Sequence, residues 1–246
     1  MAPATPTVSE PCSRSRSRSR PHPHPRLLAD VLAAGAPYPL ALTGDYAIRA
    51  HGLGRRTGED LEVATESAED MGRIVAVLRA GLWERGWQAG ALGTDSLSAR
   101  LIVTDAESGG ACEVGVLKEL LWRPPVRTGY GLALSLEDVV GTKVRALADH
   151  GLPRDLIDVR AAADRWTAPE LEELGRRHTR DDTALDLSDL RMRLTGLDWI
   201  DDTTFTAYGL DTDAISELRG WAQGWADDIG ERLLEGGDPE DDAGQA

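Results

Sequence analysis

The hydrophobic pattern of this chain changes character once, near Ser135. Before that point apolar residues switch between helical spacing and strand alternation; after it only helical spacing is found. A chain so ordered predicts an α+β half followed by a helical half. Four segments are expected: a tail over 1–25, an α/β core over 26–135, a helical region over 136–235 and an acidic tail over 236–246.

Within the first half, Leu27, Leu28, Val31 and Leu32 take helical spacing up to Gly35. Pro39 to Thr43 reads as a short buried strand and Gly44 to Leu53 as a helix. Asp60 to Thr65 alternates, with Asp60 and Glu62 on one side and Leu61 and Val63 on the other. Ala68 to Trp87 reads as a helix. Ala99 to Thr104 and Ala111 to Leu117 read as strands joined by the turn Glu107-Ser108-Gly109-Gly110. In the second half, Ser135 with Asp138 three residues on is an N-cap signal. Leu136, Val139, Val140, Val144 and Leu147 then form an apolar stripe, and further helices are expected over about 154–166, 168–179, 187–197 and 211–235.

The charge is uneven. The net is −15, yet residues 1–26 hold five arginines and one glutamate, and residues 235–246 hold five acids and no base. So acidic a body is a poor nonspecific ligand for nucleic acid or an anionic membrane. No apolar run is long enough to span a bilayer, and the basic N-terminus lacks the apolar segment of a secretory signal. Two cysteines, Cys12 and Cys112, fit a reducing, cytoplasmic compartment. The low Lys and high Ala, Arg and Gly usage suits a GC-rich bacterial genome. Ser13 to Arg20 alternates Ser and Arg, and Pro21 to Pro25 alternates Pro and His. Such a segment cannot bury enough apolar surface to order itself. It reads as a solvated tail, with an RNA-tethering arm or a metal-binding His pair as the functional alternatives.

Three places could carry chemistry. Asp60 and Glu62, two apart on a strand, put two carboxylates on one face, where they repel unless a cation lies between them. Mg²⁺ suits such a pair when phosphates complete its shell. The same alternation also suits a solvated edge strand. Nearby, Thr43-Gly44-Asp45 forms a strand-to-helix turn able to offer backbone N–H groups to a phosphate. Lys143, one of only two lysines, falls on the apolar stripe of its helix. A lysine there is a phosphate-binding point charge or a snorkelling rim residue. Asp155 and Asp158 share a face near a helix start, where acids also complement the helix dipole.

Taken in order, Thr43-Gly44-Asp45, Arg56-Thr57-Gly58-Glu59-Asp60-Leu61-Glu62, Gly141-Thr142-Lys143 and Arg154-Asp155-Leu156-Ile157-Asp158 resemble the AbiEii/AbiGii toxin-type nucleotidyltransferases, a branch of the DNA polymerase β-like superfamily. The resemblance spans about residues 36–165. It implies a small mixed sheet with helices and transfer of a nucleoside monophosphate from an NTP to an acceptor hydroxyl. In this reading Asp60, Glu62, Lys143 and Asp155 are catalytic, and Thr43, Gly44, Arg56, Thr57 and Asp158 bind nucleotide. Asp60, Glu62 and Glu113 hold Mg²⁺ or Mn²⁺. Implied partners are tRNA or another RNA as acceptor and, for the toxin of a toxin–antitoxin pair, a cognate antitoxin; no membrane partner is implied. The chain departs from the family pattern at Asp45, Glu62 and Gly115. The alternative is therefore a catalytically impaired protein of the same fold that binds nucleotide or protein.

Overall fold

The structure is a computed structural model and describes residues 25–54, 60–178 and 185–235. In chain order the described elements are α1 (Pro25–Ala34), β1 (Ala41–Leu42), α2 (Gly44–Ala50), β2 (Leu61–Thr65), α3 (Met71–Trp83), β3 (Trp87–Thr94), β4 (Ser98–Asp105), β5 (Ala111–Lys118), β6 (Val126–Thr128) and β7 (Gly131–Ala133). Helices follow: α4 (Leu136–His150), α5 (Pro153–Ala162), α6 (Ala168–Arg176), α7 (Leu187–Thr195), a 3-10 turn (Gly196–Trp199), α8 (Asp202–Thr206) and α9 (Thr212–Glu235). The α+β class, with a helical region following the sheet, is thus observed.

The seven strands form one mixed sheet in the order β3-β4-β5-β2-β1-β7-β6. β2 runs parallel to β5 and β1 parallel to β7; the other pairs are antiparallel. Strand alternation decides the two faces. Leu61 and Val63, Ala99, Leu101 and Val103, and Cys112, Val114 and Val116 are buried, in one core with Leu27, Val31, Ile74 and Leu78 of α1 and α3. Each large apolar side chain so buried contributes about 1.5–3 kcal/mol. Glu62, Glu113 and Gly115 occupy the alternate positions and are partly buried, and Arg100 there is exposed. A second core gathers Val140, Val144 and Leu147 of α4 with Leu156, Leu171, Leu190, Phe205 and Trp225 from the later helices. Helix α4 contributes to both, since Val139 belongs to the first core.

The expected elements need correction in several places. The helix expected to reach Trp87 ends at Trp83, and Gly86 (φ 85°) turns the chain into β3. β3 is a sheet edge on which Trp87 alone is buried, so it shows no alternation. The β6–β7 hairpin is only three residues a side, too short for a period to register. Helix α8 was also not expected. The readings of residues 1–24 and 236–246 fall outside the described residues; Pro25, assigned to the tail, begins α1.

Ser135 caps α4 as expected, its Oγ accepting from the Asp138 N–H at 3.1 Å. The buried Asp138 carboxylate also accepts from the Trp122 and Arg123 N–H groups (2.9 and 3.1 Å) and lies 3.0 Å from His178 Nε2. Burial alone would raise its pKa, but the His178, Ser135 and backbone hydrogen bonds hold it below the ordinary value. The loop after β5 is thereby fastened to α4 and to the end of α6.

Gly141 lets α4 and α6 approach closely. A Cβ there would overlap the His178 ring and lie 2.6 Å from the Leu174 carbonyl oxygen. Ala is the better helix former in isolation. Nevertheless Gly141→Ala is expected to destabilise the protein by about 1–3 kcal/mol through overpacking, read as a lower midpoint in urea unfolding.

Candidate active site

A cavity of about 880 Å³ opens where the sheet meets the helical region. It is lined by Thr43, Gly44, Asp45, Asp60 and Glu62 from α2, β2 and the residue before each, by Lys143, Arg145, His150, Arg154 and Asp155 from α4 and α5, and by Tyr208 and Gly209 after α8. Its size lies within the range of ligand pockets, about 300–1,000 Å³.

Lys143 is buried on α4, and three carboxylates converge on its Nζ. Asp158 Oδ2 is 2.8 Å away, Asp155 Oδ1 3.1 Å and Asp45 Oδ1 3.3 Å. The two aspartates of α5 reach it because they lie three apart on one helical face. Burial would lower the lysine's pKa, but Asp158, Asp155 and Asp45 together raise it above its ordinary value. The ammonium is therefore charged throughout the physiological range. Asp45, which departs from the family turn, is aimed at this cation.

The second group is the carboxylate pair. Asp60 and Glu62 line the same cavity, as their spacing predicted. Asp60 Oδ1 is buried without a hydrogen-bond partner among the described residues. A buried carboxylate oxygen with no donor is costly unless something positive meets it. The Glu62 pKa is raised, first by burial, with Asp45 and Asp155 adding to the effect and Lys143 and Arg154 opposing it. The longer side chain has its own accommodation. Gly44 adopts φ 59°, and a Cβ there would overlap Glu62 Oε2. At Gly115, paired with Glu62 across β5, a Cβ would lie only 3.5 Å from Glu62 Cγ.

These groups fit a divalent cation. Mg²⁺ is commonly held by one or two carboxylates, with substrate phosphates and water completing its shell. Asp60 and Glu62 would hold it. Among the described residues no three His, Cys, Asp or Glu side chains gather as a ligand set. Glu113, expected as a third ligand, lines a small adjoining cavity with the pair without completing such a set. It lies on β5, 3.7 Å from Arg100. Arg56 and Thr57 fall outside the described residues.

Sequence reasoning missed Arg154 and Tyr208 as site residues. Arg154 opens the Arg-Asp-x-x-Asp motif, and it makes no ion pair among the described residues while lining the cavity. Tyr208 follows α8 and had no motif to reveal it. Arg145 is committed to Asp149 through its Nε (2.8 and 2.9 Å), leaving its Nη1 without a partner.

Comparison with known proteins shows what the chain resembles. Residues 131–235 match the sequence model of the nucleotidyl transferase AbiEii toxins of type IV toxin–antitoxin systems. Over that segment the chain is similar to the AbiEii toxins. The matched segment contains Lys143, Arg154, Asp155 and Asp158; the Gly44 turn and the carboxylate pair lie before it. The fold is similar to that of JHP933 from Helicobacter pylori (15% identity, TM-score 0.52, covering 86% of this chain and 94% of that one). It is similar also to that of MenT4, a nucleotidyltransferase toxin from Mycobacterium tuberculosis (17% identity, TM-score 0.50, 83% and 84% covered). No curated protein matches the chain. Among the described residues, no helix is long and apolar enough to cross a membrane.

Lys143→Met tests the buried cluster. Removing the cation leaves three neighbouring carboxylates without a counter-charge, so a loss of about 3–5 kcal/mol is expected in chemical unfolding. A snorkelling surface lysine would cost almost nothing.

Proposed function

We propose that this AbiEii-like chain is a metal-dependent nucleotidyltransferase. It moves a nucleoside monophosphate from an NTP to an acceptor hydroxyl on RNA, with tRNA as the leading acceptor class. The observation that carries this reading is that one cavity gathers both kinds of group. The unpartnered Asp60 oxygen and Glu62 face it from β2, and Lys143 and Arg154 face it from the helices.

The roles follow from placement. Arg154 meets the phosphates, its whole guanidinium available for a bidentate contact, while Lys143, whose N–H donors go to Asp45, Asp155 and Asp158, adds its positive charge behind the turn. Asp155 and Asp158 position Lys143 and keep it charged. Thr43 and Gly44 form the turn against which the triphosphate lies, and Tyr208 offers a ring to the base. Arg56 and Thr57 keep the nucleotide-side role implied by the resemblance. Bound Mg²⁺ or Mn²⁺ would neutralise phosphate charge between the carboxylates. In the reaction the acceptor oxygen forms a bond to the α-phosphorus while the α–β phosphoanhydride bond breaks. Pyrophosphate leaves with the bonding electrons and the hydroxyl proton passes to water. The biological reading is a cytoplasmic bacterial toxin countered by an antitoxin.

The test is incubation with each labelled NTP, Mg²⁺ or Mn²⁺, and total tRNA. Label transfer is expected, with a loss of about a hundredfold or more on Asp60→Asn or Lys143→Ala, the scale of removing one group that stabilises transition-state charge. Absence of transfer with every NTP, or transfer indifferent to both substitutions, contradicts the proposal. Nucleotide binding without turnover would instead favour the impaired-enzyme reading, which the departures at Glu62 and Gly115 motivate.

A pH dependence follows from Glu62. Only the ionised carboxylate holds a cation, and its pKa is raised above the ordinary 4.5. Mn²⁺ affinity, followed by electron paramagnetic resonance, is expected to fall as pH drops, beginning above that ordinary value. Glu62→Gln should weaken binding and flatten this part of the profile.

A further inference from the structure

A second, smaller cavity of about 140 Å³ adjoins the first. The two share Asp60, Glu62 and Leu117, so the carboxylate pair forms part of the wall between them. The remainder of the small cavity comes from the open sheet face: Ser98, Ala99 and Arg100 of β4, with Glu113 and Gly115 of β5. Strand register explains the opening. Glu62 pairs with Gly115, and Gly115 pairs with Arg100, so three adjacent strands meet at one level. The middle position has no side chain. Space therefore runs between Glu62 and Arg100.

Arg100 is the cation of this cavity. Its side chain is 68% exposed and 3.7 Å from Glu113 Oε1, a loose pair readily exchanged for a better anion. The remaining charged groups of the lining, Asp60, Glu62 and Glu113, are all acids.

Phosphoryl and nucleotidyl displacements proceed in line, with attacking and leaving oxygens on opposite sides of phosphorus. Arg154, to which the phosphates are assigned above, lines the large cavity. The leaving pyrophosphate belongs there, and the attacking hydroxyl must come from across the carboxylate pair. We propose that the small cavity is the acceptor subsite, receiving the terminal hydroxyl-bearing sugar of a polynucleotide whose adjoining phosphodiester binds Arg100. This rests on the nucleotidyl-transfer reading above. The cavity is smaller than pockets for whole drug-sized ligands, so it admits an end group and not a second complete nucleotide. A planar guanidinium at its rim suits a phosphodiester, in contrast to the uncharged surroundings of a Ser or Tyr hydroxyl on a protein acceptor.

The test is photocrosslinking of the full chain to a short oligouridylate with a free 3′ hydroxyl and a 3′-terminal 4-thiouridine, mapped by mass spectrometry. Crosslinks are expected on β4 and β5, around Ser98–Arg100 and Glu113–Leu117. Arg100→Glu should lower their yield by about tenfold, and Arg100→Lys should restore part of it. Crosslinks confined to the N-terminal arginines or to another surface, or a yield unchanged in Arg100→Glu, would overturn the subsite. Mg·NTP titration of the same protein separates the two readings. Failure to bind nucleotide counts against the proposed function itself, wherever the RNA crosslinks.

Discussion

The Lys143 ammonium, buried among three carboxylates, is the interaction on which the rest of the site depends. It draws together α2 through Asp45, its own helix α4, and α5 through Asp155 and Asp158. A buried charge is tolerable only when paired, and here each partner needs the cation as much as the cation needs the partners. The cluster fixes the turn that follows β1 against the helical region. The large cavity lies along that junction, and Arg154, beside Asp155, is carried into it.

Across the cavity the side chains compensate one another in shape. Glu62 is one methylene longer than an aspartate at this position would be. Its carboxylate reaches the backbone of Gly44, and Gly115 leaves room beside its stem. Asp45 would repel a triphosphate if it pointed into the nucleotide space; turned to Lys143, it becomes part of the cluster instead. The departures are therefore linked, and the pair Asp60–Glu62 stands between a large compartment and a small one.

Much of this was legible in the sequence, for definite reasons. Strands with one buried face, such as Leu61 to Thr65 and Ala111 to Lys118, announced themselves by alternation. The capped helix beginning at Leu136 did so by its stripe, and Lys143 drew notice by interrupting that stripe. What failed to register lacked a local pattern. β3 is an exposed edge, and the β6–β7 strands are three residues each. Asp45 meets Lys143 across 98 residues, a pairing that spacing cannot reveal. Arg100 faces Glu62 only because β4, β5 and β2 align in register, which depends on tertiary assembly.

Hydrogen exchange of Lys143→Met, compared with the unaltered chain, tests the central claim most directly. If this cation holds the two halves of the site together, amides of α2 and of the first turns of α5 lose protection in concert. Those of α3 and α9, which do not touch the cluster, keep theirs. Loss of protection confined to α4, or no change in α2, would contradict the account.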